Sequence, residues 1–243
     1  MPSTPAPERS LQFGRAVKET MPSLQLHAVS AALPPPSHAP RLRVHGPGDA
    51  GRAEVERFIH GVFQQRFGAD VRQFAPTLVS LRDADGELVA AAGYRDGEQG
   101  PLFLERYLDA PAETLLAATG SPAPARRAIA EVGHLAAARA GEGRRLILLL
   151  GPHLAAAGYR WVVSTLTEEL RHLFLRLGIA PLSLGAADPA LLGEDAARWG
   201  RYYDHHPVVL AGQIDVALKA LARRGIVTPA GTATPTATRP AQA

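Results

Sequence analysis

Two apolar runs joined by Asp85 and Gly86 constrain the fold of this chain more than any other feature. They lie in the segment 77-TLVSLRDADGELVAAAGYRD-96. A reversal as tight as an Asp-Gly turn requires a positive φ angle, which glycine adopts without steric cost. The segment therefore predicts an antiparallel β-hairpin, and part of any sheet in this protein must be antiparallel.

Strand-like and helix-like segments alternate on the C-terminal side of the hairpin. Residues 127–137 and 160–166 have the composition of strands, whereas 143–158 and 167–178 have helical periodicity. A further amphipathic helix is predicted over residues 50–68, ending at a glycine. The order of these segments predicts an α/β (α+β) fold with one mixed central sheet flanked by helices.

Three smaller features complete the predicted order of elements. Residues 102–109 are predicted to form a short strand or a strand entering a turn, and 112–118 a helix opened by Pro111. Pro152 falls inside the predicted helix 143–158, where the missing N–H group predicts a kink or the start of a second helix.

Both ends of the chain differ in composition from its centre. Residues 1–40 are rich in proline and predict a flexible arm, and residues 226–243 are a low-complexity segment that predicts a disordered tail. The folded domain is therefore expected over residues 41–225. The absence of a long apolar run and of a secretory signal predicts a cytoplasmic protein without a spanning segment.

Composition excludes several classes of site. The chain has no cysteine, so disulfides, thiolate metal sites and cysteine nucleophiles are excluded. No G-x-S-x-G motif supports a serine hydrolase, and no motif supports nucleic-acid binding. The net charge of +3 favours anionic partners, although a high-GC genome, which enriches arginine generally, explains the charge at least as well.

One apolar strand segment carries an acid and an imidazole three residues apart, Glu131 and His134. On a regular strand they point to opposite faces, so they meet only if the strand bulges, and Gly133 is where a bulge is expected. Burial of a carboxylate is costly unless it is paired. Two interpretations stay open: Glu131 is a general base, or it forms an ion pair with Arg95 or Arg106.

The turn after this strand, 138-ARAGEGRR-145, has features of an anion site. Gly141 and Gly143 allow backbone amides to approach a ligand at the start of a helix, and Arg144 and Arg145 add charged donors. The turn lacks the ending of a Walker loop and the third glycine of a dinucleotide fingerprint. A phosphate-bearing ligand and an ordinary strand-to-helix loop are both compatible with it.

A third cluster, 199-WGRYYDHHPVV-209, is dense in aromatic and titratable residues in a chain that is only 6% aromatic. Its Asp-His-His run contains metal-ligand types, but adjacent residues of an extended chain point to opposite sides. The preferred interpretation is therefore a pocket wall without a metal, in which the hydroxyl of Tyr202 or Tyr203 donates a proton.

Taken in chain order, these segments resemble the thermostable hemolysin family over about Phe58 to Leu218. The resemblance is carried by 93-GYR-95, 102-LFLERYLD-109, 131-EVGHLA-136, 164-STLTEELRHLFLRLG-178, 186-AADPALL-192 and 199-WGRYYDHHPVVLAGQI-214. The family in turn looks distantly like the GNAT acyltransferases and the acyl-homoserine-lactone synthases, which implies a GNAT-like sheet.

The resemblance also implies an activity, the transfer of an acyl group from acyl-CoA or an acyl-carrier protein to a small amine. In GNAT enzymes the acid-bearing strand splays from its neighbour and binds the pantetheine arm, while the following turn holds the pyrophosphate. Ala138 departs from the Gln or Arg that usually begins this turn. A membrane-active hemolysin and a non-catalytic thioester-binding relative are the alternatives.

The expected site residues fall into three groups. The catalytic group is Glu131, His134 and Tyr203; the donor-binding group is Val132, Leu135, Gly141, Gly143, Arg144 and Arg145; the substrate-binding group is Arg95, Glu105, Thr165 and Tyr202.

Overall fold

A seven-stranded mixed sheet is the centre of the computed structural model, which describes residues 42–226 except 118, 119 and 121. The strands are β1 (Leu42–His45), β2 (Thr77–Arg82), β3 (Leu88–Asp96), β4 (Ile129–Ala137), β5 (Trp161–Leu166), β6 (Leu182–Ala186) and β7 (Val208–Gln213). Their order across the sheet is β1-β2-β3-β4-β5-β7-β6. The predicted arm 1–40 and, apart from Ile226, the predicted tail 226–243 lie outside the described residues.

Helices cover both faces of the sheet. They are α1 (Arg52–Phe67), α2 (Ala112–Ala117), α3 (Glu142–Ala156), α4 (Glu168–Leu177) and α5 (Ile214–Arg223). The apolar stripe of α1 packs on one face, and α3 and α5 pack on the other. Alternate residues of each strand point to opposite faces, so neighbours such as Leu78 and Val79 belong to different core clusters. The predicted mixed sheet flanked by helices is confirmed.

The predicted hairpin is confirmed as the antiparallel pair β2 and β3. Gly86 has a φ angle of 85°. The Asp83 carboxylate accepts the backbone N–H groups of Asp85 and Glu87 at 3.1 and 2.9 Å, which fixes the turn. The local signal was sufficient because all of these contacts lie within five residues.

One prediction of local structure was wrong, and so was one of the two alternatives predicted at Pro152. Residues Phe103–Tyr107 form a 3-10 helix where a strand was expected, because the backbone N–H groups of Phe103 and Leu104 donate to the carboxylate of a distant residue, Glu131. Pro152 lies inside α3, and no second helix begins there. The sequence also did not predict β1.

Candidate active site

Strands β4 and β5 pair over only part of their length. Their parallel ladder joins Ile129 to Trp161 and ends where Glu131 meets Val163. Both strands continue beyond this point. The Ser164 hydroxyl donates to the Val132 carbonyl at 2.7 Å, which satisfies one backbone acceptor just past the split. The remaining residues of β4 then border a cleft.

A bulge on β4 lies at the mouth of this split. The register with β3 passes from Gly93 opposite Gly133 to Ala91 opposite Ala136, so β4 carries one extra residue. His134 has a φ angle of 54°, in the left-handed region that non-glycine residues seldom adopt. The bulge is therefore centred one residue beyond the predicted Gly133. Both Glu131 and His134 consequently line one cavity.

Two cavities meet at the bulge. The first, here called the cleft, measures about 540 Å³ and lies between β4, α4 and the start of α3. The second, called the Glu131 cavity, measures about 160 Å³. Five residues at the junction line both of them, Phe63, Gly133, His134, Thr165 and Tyr202.

The cleft contains most of the predicted anion site. Leu135, Gly141, Gly143 and Arg144 line it. Helix α3 begins after Gly141, which has a φ angle of 89°, and no side chain of the described residues caps its N-terminus. The first turn of a helix presents N–H groups without helical acceptors, so this end is open to an anion.

The two arginines of the turn differ in position. Arg144 is exposed at the cleft and has no ion pair among the described residues. Arg145 instead pairs with Glu142 at 3.4 Å and lines none of the cavities described here. The structure therefore brings Arg144, and not Arg145, to the cleft.

Glu131 is a buried carboxylate with three donors. Its Oε2 accepts the Phe103 N–H at 2.8 Å and lies 3.3 Å from Arg95 Nε, and its Oε1 accepts the Leu104 N–H at 2.9 Å. Each carboxylate oxygen has two acceptor sites, so Oε1 retains one. The ion pair and the cavity position thus coexist, and the pair involves Arg95 rather than Arg106.

Burial raises the pKa of Glu131 above that of an ordinary glutamate. The two backbone N–H groups and the Arg95 charge act in the opposite direction, but they do not cancel the loss of solvation. A carboxylate with a raised pKa holds a proton more strongly than a solvated one. Glu131 is therefore a stronger proton acceptor than a solvated glutamate.

His134 is neutral at physiological pH, because burial lowers the pKa of its imidazole to about 4. Its ring lies against Phe63 and Phe74, with centroid distances of 6.5 and 5.6 Å. Its Nδ1 atom is buried without a hydrogen-bond partner among the described residues. A charged imidazole in this apolar setting would be costly.

Replacement of His134 by asparagine should flatten the dependence of stability on acid pH. The unfolded histidine takes a proton below about pH 6.5 and the folded one only near pH 4, so falling pH favours unfolding. Between pH 7 and pH 4 the wild type should lose about 3 kcal/mol of unfolding free energy through this histidine, and the variant should not. Asparagine is the chosen replacement because it tolerates the positive φ angle. Urea unfolding across this range measures the difference, with the exposed His172→Asn as control. Equal slopes for wild type and His134→Asn would refute the assignment.

An aromatic wall closes the Glu131 cavity. The hydroxyl groups of Tyr203 and Tyr107 lie 2.5 Å apart, and the Tyr202 hydroxyl donates to the Thr165 carbonyl at 3.2 Å. Burial raises the pKa of all three phenols, so they are protonated at neutral pH. Tyr202 lies at the junction with the cleft, whereas Tyr203 lines only the Glu131 cavity.

The structure places Glu105 away from the predicted substrate. Its carboxylate accepts the N–H groups of Leu102 and Ala112 and pairs with Arg126 at 2.7 Å. It lines none of the three cavities described here. This carboxylate organises the 102–112 segment, a role that the sequence did not reveal because Arg126 lies 21 residues away.

A third cavity of about 110 Å³ is almost wholly apolar and was not predicted. It lies among β4, β5, β7, α3, α4 and α5, and it shares Leu135 and Ile147 with the cleft. Its lining comes from five separate stretches of chain, so no local pattern could have revealed it. Tyr107 and Ser164 were also missed, although a serine within an apolar strand was an available signal.

Two classes of site can be assessed over the described part of the chain. Within residues 42–226, with 118, 119 and 121 omitted, no cluster of three or more His, Cys, Asp or Glu side chains is placed to hold a metal ion. Over the same residues, no helix has the length and apolar character needed to cross a membrane.

The described sheet is GNAT-like, and solved structures of low sequence identity share its fold. TofI in its apo form has a TM-score of 0.53 and 21% identity, over 75% of this chain and 96% of that one. FeeM, an N-acyl amino acid synthase from uncultured soil microbes, has a TM-score of 0.52 and 14% identity, over 77% and 98%. BjaI, a CoA-dependent acyl-homoserine lactone synthase solved with SAM and isopentyl-CoA, has a TM-score of 0.52 and 12% identity, over 79% and 92%.

The family is defined by sequence. The thermostable hemolysin family matches residues 45–218, and this chain belongs to it. The resemblance inferred from the ordered motifs is thereby confirmed. No curated protein matches the chain in sequence.

Proposed function

We propose that this protein is an N-acyltransferase that moves an acyl group from a thioester to a small amine. One observation carries the proposal: the β4–β5 ladder ends at Glu131, and the resulting cleft meets a cavity that contains this buried carboxylate. The two cavities provide separate places for a donor and an acceptor that meet at the bulge. The fold shared with an N-acyl amino acid synthase and a CoA-dependent acyl-homoserine lactone synthase supports the same function.

The donor lies in the cleft, with its carbonyl at the bulge. A bulge leaves backbone groups of the extra residue unpaired, so the N–H groups of residues 132–135 are the proposed donors to the thioester oxygen. The uncapped start of α3 and Arg144 bind the phosphates of the donor. Coenzyme A and acyl-carrier protein both present phosphate and pantetheine, and both fit this assignment.

In the proposed reaction, the amine nitrogen attacks the thioester carbonyl carbon and Glu131 Oε1 accepts the amine proton. The C–S bond then breaks and the sulfur takes a proton, so one proton passes from nitrogen to sulfur overall. Tyr202, which lines both cavities, is the proposed proton donor to the sulfur, and Tyr203 in the Glu131 cavity is the alternative. The proton held by Glu131 then restores the phenol. His134, neutral and buried, holds the bulge and does not carry charge.

The proposal is tested with purified full-length protein, acyl-CoA or acylated carrier protein, and a panel of amines. Formation of an N-acyl product, identified by mass spectrometry, is the expected result. Donor binding without any product would indicate a non-catalytic relative. Dye release from liposomes by the protein alone, without a thioester, would support the membrane-active alternative instead.

The apolar cavity is the proposed seat of the acyl tail. Gly151 lines it from α3, and a Cβ atom there would make ordinary contact with Leu218 at 3.6 Å. Gly151→Leu should therefore fill the cavity without breaking the helix.

This substitution should shorten the preferred acyl chain. Each buried methylene contributes about 0.8 kcal/mol, so exclusion of three carbons should lower kcat/KM for the longer donor roughly 50-fold. A short acyl donor should be transferred almost as before. Gly151→Ala, which adds little volume, is the control. If Gly151→Leu and the wild type rank donors of different acyl length in the same order of kcat/KM, the acyl tail does not bind in this cavity.

A further inference from the structure

The Glu131 cavity has a surplus of one positive charge. Four arginines and three carboxylates line it, and His134 is neutral. Each carboxylate has an arginine partner: Asp70 pairs with Arg72 at 2.6 Å, Asp195 with Arg198 at 3.5 Å, and Glu131 with Arg95 at 3.3 Å. The fourth arginine, Arg106, has no ion pair among the described residues.

Arg106 is exposed, and its guanidinium lies over an aromatic ring rather than beside an acid. Its guanidinium carbon lies 4.1 Å from the centroid of the Phe103 ring. A guanidinium stacked in this way keeps its N–H donors free in its own plane, where they match the two oxygens of a carboxylate. Arg106 therefore offers a bidentate donor that has no ion-pair partner among the described residues.

Phe103 links this cation to the candidate base. Its ring supports Arg106, and its backbone N–H donates to Glu131 Oε2 at 2.8 Å. Both charged groups line the same small cavity. A ligand whose amine lies beside Glu131 is therefore in the same cavity as the Arg106 guanidinium, to which a second, anionic group of the ligand can bind.

We propose that the acceptor is an amino acid with an uncharged side chain, whose carboxylate binds Arg106. This inference rests on the proposed function. The lining aromatic rings, among them Trp199 and Tyr107, suit an apolar or aromatic side chain. A cationic sulfonium fits less well, because each carboxylate in the lining already has a partner.

Calorimetric titration of the full chain, without donor, tests the assignment. Phenylalanine and phenethylamine differ only in the carboxylate, and phenylalanine should bind roughly 10- to 100-fold more tightly. Arg106→Gln should abolish this ratio, and Arg106→Lys should restore part of it because the charge returns without the planar fork. Arg57→Gln, which removes an exposed arginine that lines none of the three cavities, should leave the ratio unchanged.

Kinetics provide a second readout. In Arg106→Gln the KM for phenylalanine should rise roughly 10- to 100-fold with little change in kcat, and the KM for phenethylamine should stay the same. Equal use of the two amines by the wild type, an unchanged ratio in Arg106→Gln, or tighter binding of SAM than of phenylalanine would overturn the assignment. Arg106-dependent binding without acyl transfer would refute the proposed function alone.

Discussion

Glu131→Gln should lower the rate of acyl transfer by about 100- to 10,000-fold, the range for loss of a general base. The amide cannot accept the amine proton, whereas the cleft that binds the donor is unaltered. Donor affinity should therefore change by less than about threefold. Single-turnover assays with saturating acyl-CoA, together with donor titrations, separate the two quantities.

The hydrogen bonds of Glu131 demand a matched control. In the glutamine variant, an NH2 group must face a backbone N–H or Arg95, which costs about 1–3 kcal/mol of stability. Glu105 anchors the same segment through two backbone N–H groups and an arginine, but it lies outside the cavities. Glu105→Gln should lose comparable stability and retain most of the activity.

The pH profile distinguishes a base from a structural anchor. Because burial raises the pKa of Glu131, the wild-type kcat/KM should fall with unit slope as pH drops through that raised value. The residual activity of Glu131→Gln should lack this limb. Full activity in Glu131→Gln, or an equal loss in Glu105→Gln, would exclude Glu131 as the base.

Gly200→Ala should destabilise the protein by about 4 kcal/mol, through backbone strain and overlap together. Gly200 has a φ angle of 52° and a ψ angle of −124°, a conformation that disfavours any Cβ atom. An added Cβ atom would also lie only 2.3 Å from the Phe67 carbonyl oxygen. The atoms that the Cβ would meet are backbone atoms of Phe67 and Gly68 at the end of α1. The overlap therefore cannot be relieved by a change of side-chain rotamer.

Gly193 supplies a closely matched control within the same segment. Its φ and ψ angles are 58° and −131°, but no heavy atom of the described residues lies within 4 Å of the position that an added methyl group would take. Gly193→Ala should therefore incur only the conformational cost, about 1–3 kcal/mol. Urea unfolding of the two variants gives the comparison, and equal losses would show that the contact with α1 is unimportant.

The backbone around Gly200 also supports the candidate site. The Arg201 N–H donates to the Phe67 carbonyl at 2.8 Å, and the Asp70 N–H donates to the Arg198 carbonyl at 2.7 Å. These bonds fix the aromatic wall beside α1. Any Gly200→Ala protein that folds should therefore bind the acceptor less tightly than wild type.

Some parts of the fold, and the start of the helix at the cleft, could be predicted from local sequence. The Asp85-Gly86 turn and the helix end at Gly68 depend on contacts within a few residues, and the structure has both. Gly141 opens α3 with the positive φ angle that a glycine turn allows. The roles of Glu131, Arg144 and the tyrosines in catalysis or binding stay predictions, now with a geometry that can be tested.

By itself, the sequence determined the order of the central elements, the hairpin and the acid-bearing strand, because periodicity and turn chemistry act between near neighbours. Only the tertiary structure decided that Glu131 anchors Phe103 and Leu104, that Glu105 turns to Arg126, and that Arg106, among the described arginines of the cavity, keeps its charge unpaired. A carboxylate is equally able to bind an amide, a cation or a substrate. The choice depends on which groups the fold brings within about 3 Å, and these come from distant parts of the chain.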